Sequence, residues 1–235
     1  MNPLKKYVTL IFLILLYNAC SESKPKKNNK TDNNNKPKID SVLHNKKTEK
    51  KISPDYDTLL WTEIEGSRIK LDIRYATTNN FVKKQLYDCP RCFLRPEVAK
   101  EILKINEILK DKGLKLKLFD CYRPRPIQQK LWNIKPDARY VTPPTKGSMH
   151  NRGLAIDLTI IDDTGKQLDM GTGYDYFGIK AYHTTTNLPK QVLENRKLLK
   201  SLLESHGFKA IRTEWWHYSY TQKSYPLSDW VWDCK

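Results

Sequence analysis

Two short segments of this chain carry the residue types that metal-assisted hydrolysis requires. The first, Ser148-Met149-His150-Asn151-Arg152-Gly153-Leu154-Ala155-Ile156-Asp157, sets an imidazole and a carboxylate seven positions apart; the second, Glu214-Trp215-Trp216-His217, sets a carboxylate and an imidazole three apart. Catalytic zinc usually takes three protein ligands from His, Asp or Glu and keeps a fourth position for water, whose pKa it lowers to roughly 7. His150, Asp157 and His217 provide such a set for one Zn2+ per chain. Glu214 is then spare, free to take a proton from the water and return it to a leaving amine. One histidine alone is more often a hydrogen-bonded core residue than a ligand. Two compact motifs, together holding four acid and imidazole groups, point instead to a zinc metallopeptidase. Arg123, between Tyr122 and Pro124, is read as a fixed cation aimed at the oxyanion of a tetrahedral intermediate.

These residues need elements to position them. Leu154, Ile156, Leu158 and Ile160 alternate with Ala155, Asp157, Thr159 and Ile161, so Asp157 sits on the less apolar face of a strand. His150 falls in the turn before it, where Gly153 lets the backbone fold back. Glu214 to Tyr220 also reads as a strand, but residues three apart on a strand face opposite sides, so a bulge or a strand end is expected between Glu214 and His217. Pro96 and the stripe Val98, Ile102, Ile105, Leu109 predict a helix over Arg95 to Lys112, stopped by Gly113. The period-two run Leu114 to Leu118 predicts a strand that delivers Asp120-Cys121-Tyr122-Arg123-Pro124. Further helices are expected over Ile127 to Trp132 and from about Leu188 to His206, before Gly207. Trp215 and Trp216 read as core, and Asp162, Asp163 and Asp169 as turn carboxylates. His44, His183 and His206 are placed in the linker, a loop and a helix end; for His183 two positions stay open, lining the site or the surface, with the surface favoured.

The chain has 235 residues, 39% of them apolar, and a formal charge of +16. That charge is uneven. Residues 21–55 contain ten lysines, five acids and no aromatic residue, a composition that cannot bury enough apolar surface to offset the entropy of ordering. They read as a flexible linker. Setting aside the twelve lysines and five acids of the first 55 residues leaves 30 basic and 21 acidic side chains of the original 42 and 26, a balance of +9. The lysines are scattered and no nucleic-acid module is recognisable, so no nucleic-acid partner is expected.

Residues 1–20 have the pattern of an export signal: Lys5 and Lys6, an eleven-residue apolar run from Tyr7 to Tyr17, then Asn18-Ala19-Cys20. The apolar run is too short to span a bilayer. Ala19 before Cys20 resembles a bacterial lipoprotein signal, in which the cysteine is lipidated; Tyr17, where leucine is usual, leaves ordinary signal cleavage or a retained anchor open. The expectation is a periplasmic or cell-envelope protein, anchored to the membrane through Cys20, with a domain over residues 56–235. In an oxidising compartment Cys89, Cys92, Cys121 and Cys234 form disulfides. Four cysteines allow three pairings; Cys89 with Cys92 and Cys121 with Cys234 are expected, the second pair stapling the C-terminus to the Arg123 segment. A redox or zinc role for Cys89-Pro90-Arg91-Cys92 is disfavoured, because no second CxxC accompanies it.

Five blocks, in order, resemble one family: Asp72-Ile73-Arg74-Tyr75-Ala76-Thr77; Asp120-Cys121-Tyr122-Arg123-Pro124; Ser148-x-His150-x-x-Gly153-x-Ala155-x-Asp157; Asp169-Met170-Gly171-Thr172 with Tyr174-Asp175; and Glu214-x-Trp216-His217. They are similar to the D-alanyl-D-alanine dipeptidases of the vancomycin-resistance (VanX) type. The resemblance implies an α+β single domain with a central antiparallel sheet flanked by helices, of the kind shared with hedgehog-like domains and D,D-peptidases. It implies Zn2+ on His150, Asp157 and His217, Glu214 as general base and acid, and Arg123 at the polarised carbonyl. Ser148, Asp175 and Tyr75 would hold the ends of a small D,D-dipeptide, Asp175 receiving its free amine. Two alternatives remain at this point: a D,D-carboxypeptidase acting on longer peptidoglycan stems, and a non-catalytic wall-binding module with structural zinc.

Overall fold

The computed structural model describes residues 60–234. The signal segment, Cys20 and the linker, expected within residues 1–55, lie outside the described residues. The three predicted helices and the strands expected over Leu114–Leu118 and from Leu154 form, whereas four short strands had no counterpart in the sequence reading. A short strand β1 (Thr62–Ile64) and a two-residue strand β2 (Lys70–Leu71) precede β3 (Cys92–Leu94). Helix α1 (Pro96–Lys110) begins on its proline and buries Val98, Ile102, Ile105 and Leu109 along one stripe. Gly113, at φ +67°, turns the chain into β4 (Leu114–Asp120). There follow α2 (Arg125–Ile134), β5 (Ala155–Asp162), α3 (Lys190–Ser205), β6 (Phe208–Ala210) and β7 (His217–Tyr220).

The main sheet has the order β2-β4-β5-β7-β6, and β1 pairs with β3 in a separate two-stranded ribbon. Three of the four pairings in the main sheet are antiparallel, and the fourth, the edge pair of β2 with β4, is parallel. A parallel neighbour needs a long crossover, which the segment from Asp72 to Gly113, with α1 inside it, provides. The expected antiparallel core therefore carries one short parallel edge. β5 is the central strand and is buried along Ala155–Ile161. Its Ile156, Leu158 and Ile160 join the main hydrophobic cluster, while the face bearing Asp157 is covered by the loop around Tyr174.

The cysteines pair differently from the expected scheme. Cys89 bonds Cys234 and Cys92 bonds Cys121, with Cα separations of 5.8 and 5.4 Å. The reason is β3. Pairing with β1 draws Cys92 into the ribbon, and the Phe93 carbonyl accepts the Tyr122 N–H at 2.9 Å. That bond sets Cys92 beside the end of β4 and leaves Cys89, outside the strand, to meet the C-terminus.

The tail that ends at Cys234 has no regular structure, yet it is firmly held. Trp230 and Trp232 pack against Phe93, and Trp230 stacks on Trp61. Tyr122 donates its hydroxyl to the carbonyls of Ser228 and Trp230 at 3.1 and 2.7 Å. The Ser228 N–H reaches the Asn151 carbonyl at 2.9 Å, so the tail forms a strap across the His150 turn. α3 holds the opposite side: buried Arg196 donates to the carbonyls of Met170, Lys180 and Tyr182, which pins the loop that carries Asp175.

Removing the outer bridge in a Cys89→Ala/Cys234→Ala variant is expected to cost about 2–4 kcal/mol of unfolding free energy. Denaturant titration of the oxidised proteins measures it, and an unchanged midpoint would mean that packing alone holds the strap.

Candidate active site

The centre of the site is set by strand register. β5 and β7 run antiparallel with Asp157 directly opposite His217, and the Asp157 Oδ1 lies 2.9 Å from the His217 Nδ1. His150 sits in a single 3-10 turn, His150–Arg152, that ends at Gly153 with φ +70°. Only glycine suits that position, because an added Cβ would lie 2.5 Å from the Trp61 ring. The turn brings the His150 Nε2 to 3.1 Å from the His217 Nδ1 and 3.4 Å from the Asp157 Oδ1.

The outer atoms of these three side chains have their own partners. The His150 Nδ1 is 2.7 Å from the Cys121 carbonyl; a carbonyl only accepts, so Nδ1 carries the proton and Nε2 presents its lone pair. The His217 Nε2 meets the Ser219 Oγ at 3.1 Å, and the Asp157 Oδ2 accepts the Tyr174 hydroxyl at 3.0 Å. What remains is a triangle of donor atoms with edges of 2.9 to 3.4 Å. Nitrogen and oxygen ligands at zinc-bond lengths and tetrahedral angles stand about 3.3 Å apart. The donor set, its spacing and its second-sphere partners thus fit Zn2+. Burial acts to raise the Asp157 carboxyl, but the two imidazoles outweigh it and hold the group below its usual range.

Arg123 enters from the end of β4. Its backbone is stapled to the His150 turn, the N–H donating to the His150 carbonyl at 3.1 Å and the carbonyl accepting from the Asn151 amide at 2.7 Å. The guanidinium donates to Asp120 Oδ2 from Nε at 3.0 Å and from Nη2 at 2.6 Å, and to the Gln128 Oε1 at 3.0 Å, and it lies over the Tyr75 ring. Asp120 is fully buried and also accepts the Tyr87 hydroxyl at 2.7 Å. Burial works against the guanidinium charge, but Asp120 outweighs it and keeps Arg123 ionised.

Glu214 lies in the turn just before β7, which starts at His217, so a strand end resolves the three-residue spacing. Burial, with Asp157 nearby, pushes its carboxyl above the ordinary value, while His217 opposes the shift. Asp175 holds a left-handed backbone at φ +58°, and its Oδ2 is buried without a partner among the described residues. Burial first, and then the Asp157 charge, raise its carboxyl well above the usual range. The Ser148 Oγ is likewise buried and unpartnered. Tyr75 is buried, 3% exposed. All eight residues singled out in the sequence for metal, catalysis or substrate line one cavity of about 320 Å³.

Several of the site's supporting groups escaped the sequence reading. Asp120, Gln128, Asn151 and Tyr174 act through bonds that depend on the assembled fold. Ser219 had a signal, since residues two apart on a strand share a face and His217 precedes it by two. Trp216 is core, as expected, but it also lines the cavity. His183 is half-buried rather than a surface residue, and burial lowers its imidazole to about 4.

The sequence profile of a peptidase family, M15, described as D-ala-D-ala dipeptidase, matches residues 62–231. The chain belongs to the D-Ala-D-Ala dipeptidase family. Among its relatives, a D-alanyl-D-alanine dipeptidase of Escherichia coli (strain K12) is 38% identical over 160 residues, covering 68% of this chain and 83% of its own. A D-alanyl-D-alanine dipeptidase of Enterococcus faecium is 32% identical over 181 residues, covering 68% and 90%. The family match takes in every cavity residue named above and stops at residue 231, short of Cys234 and the bridge that closes the strap. Among the described residues no helix is long and apolar enough to cross a membrane.

The buried Asp120–Arg123 pair generates a stability prediction. Asp120→Ala, which leaves the Arg123 charge buried and unmatched, is expected to cost about 3–5 kcal/mol. Chemical denaturation checks this, and a loss below about 1 kcal/mol would mean that Gln128 and Tyr75 suffice to hold the cation.

Proposed function

We propose that this family member is a zinc-dependent D,D-dipeptidase that hydrolyses D-alanyl-D-alanine. The observation that carries the reading is the shared cavity: the triangle of His150, Asp157 and His217 donor atoms opens into the same space as Glu214, Arg123 and the unpartnered Asp175 Oδ2. Zn2+ held by the three ligands supplies Lewis-acid polarisation and lowers the pKa of water at its open position to roughly 7. Glu214, its proton affinity raised by burial, takes a proton from the attacking water and delivers it to the amide nitrogen as the C–N bond breaks. Arg123, held by Asp120 and Gln128, faces the carbonyl oxygen and stabilises the charge that develops there. Asp175 receives the substrate ammonium, and Ser148 and Tyr75 fix the rest of the dipeptide.

Asp175 favours a dipeptidase over a D,D-carboxypeptidase. A buried carboxylate with an unfilled oxygen is relieved by an ammonium, whereas an acylated nitrogen brings no charge to match it. Glu214 argues against a purely structural zinc module, which has no use for a spare base. For location we propose export and anchoring through lipidated Cys20. The two disulfides support an oxidising compartment, where scavenging of wall dipeptides is a suitable role.

Protein purified with zinc is expected to hold one ion per chain by elemental analysis, and His150→Ala to lose it. Glu214→Gln is expected to keep the ion while turnover of D-Ala-D-Ala falls by about a hundredfold to ten-thousandfold. A Glu214→Gln enzyme with normal turnover would remove Glu214 as the base. A second assay compares D-Ala-D-Ala with its N-acetyl form: efficient hydrolysis of the acetylated substrate would favour the carboxypeptidase reading.

A further inference from the structure

Resting on the dipeptidase reading, we propose that Lys146 is the cation that receives the substrate's terminal carboxylate. At neutral pH a free dipeptide carries a charge at each end. The cavity offers Asp175 for the ammonium, but its obvious cation, Arg123, is already bonded to Asp120 through two of its nitrogens and to Gln128 through the third. Lys146 also lines the cavity. It makes no ion pair among the described residues. Among the described residues the ammonium of this exposed lysine therefore has no carboxylate partner, unlike the Arg123 guanidinium.

The backbone under Lys146 is built to hold it at the rim. Pro143 and Pro144 pre-set the turn, and the N–H groups of Lys146 and Gly147 both donate to the Pro143 carbonyl at 3.0 Å. Gly147 then takes φ +67°, with a built Cβ only 2.3 Å from the Leu227 side chain, so the strap presses on the turn where a side chain would not fit. Two residues beyond Lys146, the Ser148 Oγ is buried in the same cavity without a partner. Ser148 and Lys146 thus border one cavity from one turn, and together they suit a carboxylate: Ser148 supplies the hydrogen bond and Lys146 the charge.

The test compares steady-state kinetics of wild type, Lys146→Met and Lys146→Arg on D-Ala-D-Ala and on D-Ala-D-alaninamide, whose C-terminal end is uncharged. Lys146→Met keeps an apolar stem and is expected to raise KM for D-Ala-D-Ala about tenfold with kcat little changed. Lys146→Arg should recover most of that loss. On the amide, kcat/KM should be equal for wild type and Lys146→Met. An unchanged KM for D-Ala-D-Ala, or an equal loss on both substrates, would overturn the assignment while leaving the dipeptidase reading intact. A zinc-loaded wild type that fails to cleave D-Ala-D-Ala overturns that reading, and the assignment of Lys146 with it.

Discussion

The site depends on one pairing, the register of β5 against β7 that sets Asp157 across from His217. Side chains on a strand alternate between faces, so a slip of one residue would turn Asp157 into the hydrophobic cluster and bring Ile156 or Leu158 into the cavity. The register is secured from both sides. Ile156, Leu158 and Ile160 bury fully only in this alignment, and the Leu158 N–H reaches the Trp216 carbonyl at 3.1 Å where β7 begins. His150 joins the pair through the Gly153 turn rather than the ladder, and Arg123 follows His150, because their backbones are hydrogen-bonded to each other. Four functional positions, Asp157, His217, His150 and Arg123, are therefore linked to one another around the central strand.

The cavity concentrates charge where water is scarce, and the surrounding bonds show how that is tolerated. Asp120 and Arg123 neutralise each other, and Tyr87 and Gln128 take up the remaining polar atoms. Asp157 is matched by two imidazoles. The Asp175 Oδ2 and the Ser148 Oγ are buried without a partner among the described residues. Buried polar groups are normally hydrogen-bonded within the protein, so these two atoms stand apart from the satisfied Asp120–Arg123 pair in the same part of the fold.

That these side chains gather at one cavity was legible because the signal resides in residue types. Two histidines, an aspartate and a glutamate in two short motifs can be picked out without knowledge of the fold, and the face mismatch between Glu214 and His217 called for a bulge or a strand end, of which the structure has the strand end. α1, β4 and β5 were legible because each is long enough for its period to repeat. β1, β2, β3 and β6 span only two or three residues, too few for any alternation to register, and this had a direct consequence. Without β3 beside the end of β4, nothing in the spacing reveals that Cys92 meets Cys121 and that Cys89 is left for Cys234. The parallel edge of the sheet was hidden for the same reason. Asp120 and Tyr174 stood close to residues that had been singled out, but the bonds from Tyr87 to Asp120 and from Tyr174 to Asp157 span 33 and 17 positions, which local patterns do not encode.

The outer bridge joins residues 145 positions apart, and the inner bridge closes a smaller ring of 29 positions within it. The chain from Cys89 to Cys234 is thus a covalent loop holding every cavity residue except Tyr75. A protease that nicks this loop once, at an exposed stretch such as Thr184–Asn187, opens the ring but releases no fragment. The two pieces stay joined by sulfur, and the sheet between them keeps its neighbours. A single cleavage there is then a scar rather than a loss of the domain.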